Sequence, residues 1–215
     1  MGCTILPEQP FGKSAPAVSA DVPLLVGTNM HEFISGVDNP AAYTMTESEL
    51  QHKAEERFPA EAPALLAAYR KAFPELAPFD RWSLMAAWFR PQAQRQAKLK
   101  ALQGAAPAYL YWFSWRTPVL DGRPGAFHSS EISFVFDNAD RYEGYNGGGE
   151  EPRALSAQIS GAWLNFAHTG NPNHAGLPTW PAYDPESFQL MRFDVPCRVM
   201  EAPDRLVRRM MEEAR

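Results

Sequence analysis

Two residues stand where a proton relay could form. Glu32 lies a few residues past a short apolar run, Leu24-Leu25-Val26, and His128 lies in the Pro- and Gly-rich loop that follows a longer run, Ala108 to Trp115. A carboxylate beside an imidazole holds the tautomer of the ring and stabilises the imidazolium formed when the ring takes a proton from a nucleophile. In parallel α/β sheets functional groups collect just beyond the carboxyl ends of the strands, so two such runs lying side by side would bring Glu32 and His128 together. Each residue also has a plainer reading, a helix-start carboxylate for Glu32 and a hydrogen-bonded loop histidine for His128.

Other chemistries find less support. His31-Glu32 opens an H-E-x-x-H pattern, but Ser35 occupies the fifth position, so a zinc-binding helix is not expected. His128 and Glu131 have H-x-x-E spacing without a third ligand nearby. His168 and His174 flank the turn Gly170-Asn171-Pro172-Asn173 and read as surface residues, and Cys3 and Cys197 are in no metal-ligand spacing. No metal or organic cofactor is expected. No serine sits in a G-x-S-x-G frame, the strained turn that exposes a nucleophile: Ser14 is in Gly-Lys-Ser-Ala-Pro and Ser160 in Gln-Ile-Ser-Gly-Ala.

The elements that must position Glu32 and His128 follow from periodicity. Residues 1–21 form a polar, Pro-rich lead-in. Leu24-Leu25-Val26, closed by Gly27-Thr28-Asn29, suits a strand buried on both faces of a parallel sheet. Thr46 and Glu49 have capping-box spacing, predicting a helix to about Arg57, before Pro59. A second helix is expected over Ala62 to Phe73. A third begins after Asp80 with Trp82, Met85, Ala86 and Phe89 on one face, is kinked or restarted by Pro91 and continues to Gln103, with Gly104 as its stop. Ala108 to Trp115 is the strongest strand signal. Past His128 come an amphipathic turn (Glu131 to Phe136), the loop Gly147 to Gly149, and a helix over Pro152 to His168 with Leu155, Ile159, Ala162, Trp163 and Phe166 inward. A hairpin (Leu190 to Phe193 with Arg198 to Glu201) and a charged helix from Pro203 complete the chain. Buried strands alternating with helices indicate an α/β fold with a parallel sheet. Two strands of central type need neighbours on each side, so the sheet reads as incomplete, and the aromatic run is expected to be covered by elements outside this chain.

Composition agrees with a folded domain: 215 residues, 45% hydrophobic and 21% charged, net charge −5. The one cationic stretch, Arg90 to Lys100, is interleaved with Gln and Ala and reads as a solvated helix face, so nucleic acid is not expected as a partner. No apolar run is long enough for a membrane span. The two cysteines, nearly the whole chain apart, leave both their pairing and the compartment open.

Val22-Pro-Leu-Leu-Val-Gly-Thr-Asn-Met-His-Glu-Phe33 resembles the segment around the catalytic acid of type-B carboxylesterases, the cholinesterase and para-nitrobenzyl esterase family. Gly125-Ala-Phe-His-Ser-Ser-Glu-Ile-Ser-Phe-Val-Phe-Asp-Asn138 resembles its catalytic-histidine segment. Trp163 to Gly170, Asn171-Pro-Asn173, Thr179-Trp-Pro-Ala-Tyr183 and Cys197-Arg-Val199 are similar to its C-terminal signature, especially in bacterial members. The resemblance covers essentially the whole chain.

The resemblance implies an α/β-hydrolase fold of which residues 1–215 are the C-terminal part of a single domain, with an incomplete sheet. It implies a serine hydrolase acting on small-molecule carboxylic esters, with Glu32 as triad acid, His128 as triad base and Glu131 as a support for the active-site floor. His31 and Phe33 stand where many members have Asp and Gly, and Ser129-Ser130 replaces a more usual Gly-containing pair. The family's serine elbow and oxyanion loop precede the acid, so they are expected upstream of Met1, with an N-terminal complementing fragment as a partner and the isolated chain inactive. The rival readings are a non-catalytic cholinesterase-like interaction module and a truncated product with no role of its own.

Overall fold

The computed structural model describes residues 10–87 and 89–201. The charged segment from Pro203 and the residue Cys3 lie outside the described residues, and with them the expected terminal helix and a Cys3–Cys197 pairing; Cys197 is buried and bonded to no other cysteine among the described residues.

Strand β1 (Leu24–Asn29) runs three residues beyond its apolar start. Gly27 and Thr28, expected to close it, are ladder residues because β2 (Ala108–Phe113) pairs with it in parallel over its full length, Leu24 opposite Ala108 and Asn29 opposite Phe113. Gly27 faces Tyr111 across that ladder. A Cβ there would lie 2.4 Å from the tyrosine ring, so the position needs glycine for close approach rather than for a turn. Strand β3 (Gln189–Phe193) pairs in parallel with the other edge of β2, and β4 (Arg198–Glu201) returns antiparallel to β3, giving the order β1-β2-β3-β4.

Between β1 and β2 the described residues form four α-helices. Helix α1 (Glu47–Arg57) begins with the expected box, the Thr46 hydroxyl accepting from Glu49 N–H at 3.2 Å while Glu49 Oε2 accepts from Thr46 N–H at 2.7 Å. Helix α2 (Ala62–Ala72) follows. Helix α3 (Pro78–Ala86) starts earlier than expected, because Pro78 at its first turn costs no hydrogen bond. It ends at Ala87, which is extended, and α4 (Phe89–Gln103) starts afresh with Pro91 in its first turn. Phe89 is thus on a different helix from Trp82 and Met85, and the buried face of α3 is carried by Leu84, Met85 and Ser83.

The cationic stretch on α4 corrects the sequence reading. Arg90 and Lys100 are buried, the latter 1% exposed. The helix packs on β1 and β2, where Arg90 sits 4.3 Å from the Trp112 ring centroid, while Lys100 Nζ, near the helix end, donates to Ser19 O at 2.6 Å, Ala20 O at 2.7 Å and Gln103 Oε1 at 2.9 Å. Lys100 thereby ties Ser19 and Ala20 to α4.

The aromatic run of β2 is covered by this chain itself, contrary to expectation. Period-2 alternation sends Trp112 toward α4 and Phe73 of the α2 end, and Tyr109, Tyr111 and Phe113 toward the other face. There α7 (Glu150–Thr169) supplies Trp163 at 5.0 Å from Tyr111 and Phe166 at 6.2 Å from Tyr109, while Phe134 of α5 (Ile132–Val135) lies 5.2 Å from Phe113. Trp180 closes the same face beside Tyr109 and Phe193. Tyr109, Trp112, Phe113 and Trp115 are all buried. Burying each large side chain is worth about 1.5–3 kcal/mol, which anchors β2 as the centre of the molecule. Between α5 and α7 a short helix, α6 (Glu143–Asn146), ends at left-handed Gly147. On α7, Leu155, Ile159 and Ala162 face inward as expected. His174, expected on the surface, is part-buried: its Nε2 lies 2.9 Å from Gln158 O and its Nδ1 accepts from Gly176 N–H, pinning the following loop to α7, whereas His168 is exposed.

Candidate active site

The β1–β2 ladder continues past the sheet as a single parallel bridge between His31 and Phe127. Because the strands lie in register, the residues following each of them emerge side by side. His31 N–H donates to Ala126 O at 2.9 Å and His128 N–H to Glu32 O at 3.2 Å. That backbone zipper brings together side chains 96 positions apart: Glu32 Oε2 lies 2.6 Å from His128 Nδ1.

The carboxylate is held at both oxygens. Oε1 accepts from Asn29 N–H at 2.8 Å, the last amide of β1, and the Glu32 side chain is only 11% exposed. The imidazole is more open, with a side chain 49% exposed. Among the described residues none hydrogen-bonds its Nε2, so the ring presents that nitrogen away from Glu32. A histidine held at Nδ1 by a carboxylate with Nε2 open can accept a proton from a nucleophile and pass it on, the orienting acid stabilising the charged ring in between.

Three residues that sequence reasoning did not assign complete the site. Asn29, taken for a turn residue, is buried at the end of β1, and its Nδ2 donates to Phe127 O at 2.8 Å and to Glu131 Oε2, crossing from the acid loop to the histidine loop. Glu131, one turn after His128, therefore points inward; burial pushes its carboxyl above the ordinary range, the Asn29 amide pulls it back, and the charge on Glu32 adds to the upward push. Phe33 is exposed, yet its ring centroid lies 4.0 Å from that of His128, with Phe89 behind it at 5.2 Å. His31 is the third. It is 1% exposed, and its two ring nitrogens contact Asp80 of α3 and the backbone of Ala126. The rule that chemistry gathers beyond parallel strand ends points to residues 29–33 as a group, but no periodicity reveals which of them turn inward.

Ser129-Ser130 directly follows His128. Ser129 has φ 69°, in the left-handed region that favours glycine, which explains why a Gly-containing pair suits the position. Ser160 is in the body of α7, and among the described residues no three His, Cys, Asp or Glu side chains group as a metal site would require. Among them, too, no helix is long and apolar enough to cross a membrane.

A mostly parallel sheet flanked by helices, with a carboxylate–imidazole pair just beyond the ends of adjacent parallel strands, defines the α/β-hydrolase class. Within it the chain belongs to the carboxylesterase family, whose model matches residues 83–208. The chain is 28% identical over 207 residues to the para-nitrobenzyl esterase of Bacillus subtilis, covering 93% of this chain and 40% of that protein. It is 42% identical over 97 residues to canine carboxylesterase 5A, covering 42% of this chain and 17% of the relative. The crystal structure of a Geobacillus stearothermophilus carboxylesterase superimposes with a TM-score of 0.68 at 29% identity, over 89% of this chain and 40% of that one. The chain thus spans two-fifths or less of the length of these relatives.

Proposed function

We propose that this chain supplies the acid and the base of a carboxylic ester hydrolase whose nucleophilic serine lies on polypeptide outside it, residues 1–215 being one part of a single α/β-hydrolase domain. The observation that carries the reading is the 2.6 Å contact between Glu32 and His128 beyond neighbouring parallel strands. His128 Nε2 takes the proton of the serine hydroxyl as its oxygen attacks the ester carbonyl, and Glu32 stabilises the imidazolium. The ring then returns the proton to the departing alcohol, and water repeats the sequence on the acyl-enzyme. Glu131, held by Asn29, keeps the floor beneath the base and takes no covalent part. Backbone N–H groups of the complementary polypeptide would stabilise the oxyanion, a contribution of roughly 10²–10³ in kcat per donor.

The absence of any G-x-S-x-G serine from the sequence supports the division of labour. The purified chain should not turn over p-nitrophenyl butyrate, and co-expression with a serine-bearing upstream fragment should yield turnover. Hydrolysis by the chain alone that an organophosphate serine reagent abolishes would refute the division.

A further inference from the structure

We infer that His31, buried beside the acid, is a positioning residue for the base: it clamps the loop that carries His128 through a hydrogen bond from the Ala126 amide. The inference rests on the reading of His128 as the base, and its direct test needs no substrate.

The geometry leaves His31 one tautomer. Ala126 N–H points at Nδ1 from 3.0 Å, so Nδ1 must be the unprotonated acceptor, and Nε2 must carry the proton it donates to Asp80 Oδ1 at 2.8 Å. Burial keeps the ring neutral by pushing its pKa down, outweighing the pull of Asp80. Asp80 is fixed in turn: Arg116 Nη2 donates to the same Oδ1 at 2.8 Å, and Arg116 Nη1 donates to Tyr43 OH at 2.8 Å and Gly122 O at 3.0 Å. One imidazole thereby links α3, the residue before the acid, and both ends of the loop that precedes the base.

Space around the ring is tight on the loop side. Gly125 has φ 63°, and a Cβ there would lie 2.3 Å from His31 Nδ1, so loop and ring fit only with glycine at that position. Ala126 is fully buried two residues before His128. Its peptide is held on both sides by His31, N–H by the ring and C=O by the backbone amide. The backbone half of this clamp survives any substitution, so the ring's share can be isolated. A shift of about 1 Å in a catalytic group can cost about 10²-fold in rate, which is the scale on which such a clamp matters.

Asn and Gln separate the two bonds, since Asn places a carbonyl near the position of Nδ1 and Gln an amide N–H near that of Nε2. The experiment is NMR on the full chain with labelled histidine, reading the Nδ1–H resonance of His128 in its hydrogen bond to Glu32 and the exchange rate of the Ala126 amide. Amides of Leu110 and Phe113 in β2 report that the fold is intact. His31→Leu should speed Ala126 exchange at least about 10-fold and broaden away the His128 Nδ1–H signal, with β2 still protected. His31→Asn should restore both readouts and His31→Gln should not; this pair carries the test if the leucine variant does not fold. Retention of the signal in His31→Leu or His31→Gln, or its loss in His31→Asn as well, overturns the inference. The functional reading fails separately, through hydrolysis that does not depend on His128.

Discussion

Glu32 is oriented by its own strand before it meets His128, since the last amide of β1 binds one oxygen and leaves the other for the imidazole. Around this pair the residue-scale expectations are specific. Ser129 holds a left-handed conformation, so Ser129→Gly should relieve strain and stabilise the chain by about 0.5–1 kcal/mol, read from the urea midpoint. No gain would mean that the serine hydroxyl offsets the strain. The His31 clamp predicts a pH dependence of stability. Its folded pKa lies below the ordinary 6.5, so as pH falls below about 6.5 the unfolded chain takes up the proton first and stability is lost. Asp80, held below its ordinary 3.8 by His31 and Arg116 in spite of its burial, removes stability in the same direction at lower pH. Glu131, raised above 4.5, acts oppositely, since the folded state binds its proton first. Melting temperature should therefore fall between pH 7 and pH 5.5, and His31→Asn should flatten that slope; an equal slope in the variant would place the titration elsewhere.

Among the elements, those with strong local signals were legible in the sequence. The capping box at Thr46, the aromatic run of β2 and the inner face of α7 all depend on neighbours within a few residues. What escaped depends on contacts distant in sequence. Arg90 and Lys100 have the spacing of a solvated face, and only contacts distant in sequence, with Trp112 of the sheet and with the carbonyls of Ser19 and Ala20 ahead of β1, make them interior residues. The same holds at the site: Glu32 and His128 follow from strand-end placement, whereas His31 depends on Asp80, 49 positions away on another element. Lys100→Met should cost about 2 kcal/mol by leaving the Ser19 and Ala20 carbonyls without their donor, while exposed Lys71→Met should change stability by less than about 0.5 kcal/mol. Equal effects in a denaturation series would contradict the anchoring role of α4.

At the scale of the whole molecule, the core around β2 is self-supplied and the weak point is the outer edge of β1, where no strand pairs among the described residues. Leu24 N–H donates to Pro107 O and Met30 N–H to Phe113 O, so alternate residues between them face β2 and the backbone of Leu25 and Gly27 faces outward. An unpaired edge of this kind templates edge-to-edge association. The chain should self-associate as its concentration rises. Leu25→Pro, which removes an outward N–H and no ladder bond, should shift it toward monomer, whereas Val26→Pro should unfold it. Sedimentation velocity showing monomer at all concentrations would mean that the edge is protected.

On the proposed reading Glu32 and His128 act as acid and base in ester hydrolysis. Its most direct test is a chimera in which the matching segment of the Bacillus subtilis para-nitrobenzyl esterase is replaced by this chain, assayed with p-nitrophenyl butyrate alongside a cooperative melt to establish folding. The chimera should turn over the ester, with the rate falling by about 10⁴-fold in His128→Ala and comparably in Glu32→Gln. A folded chimera that shows no turnover, or whose turnover is unchanged by His128→Ala, would contradict that reading.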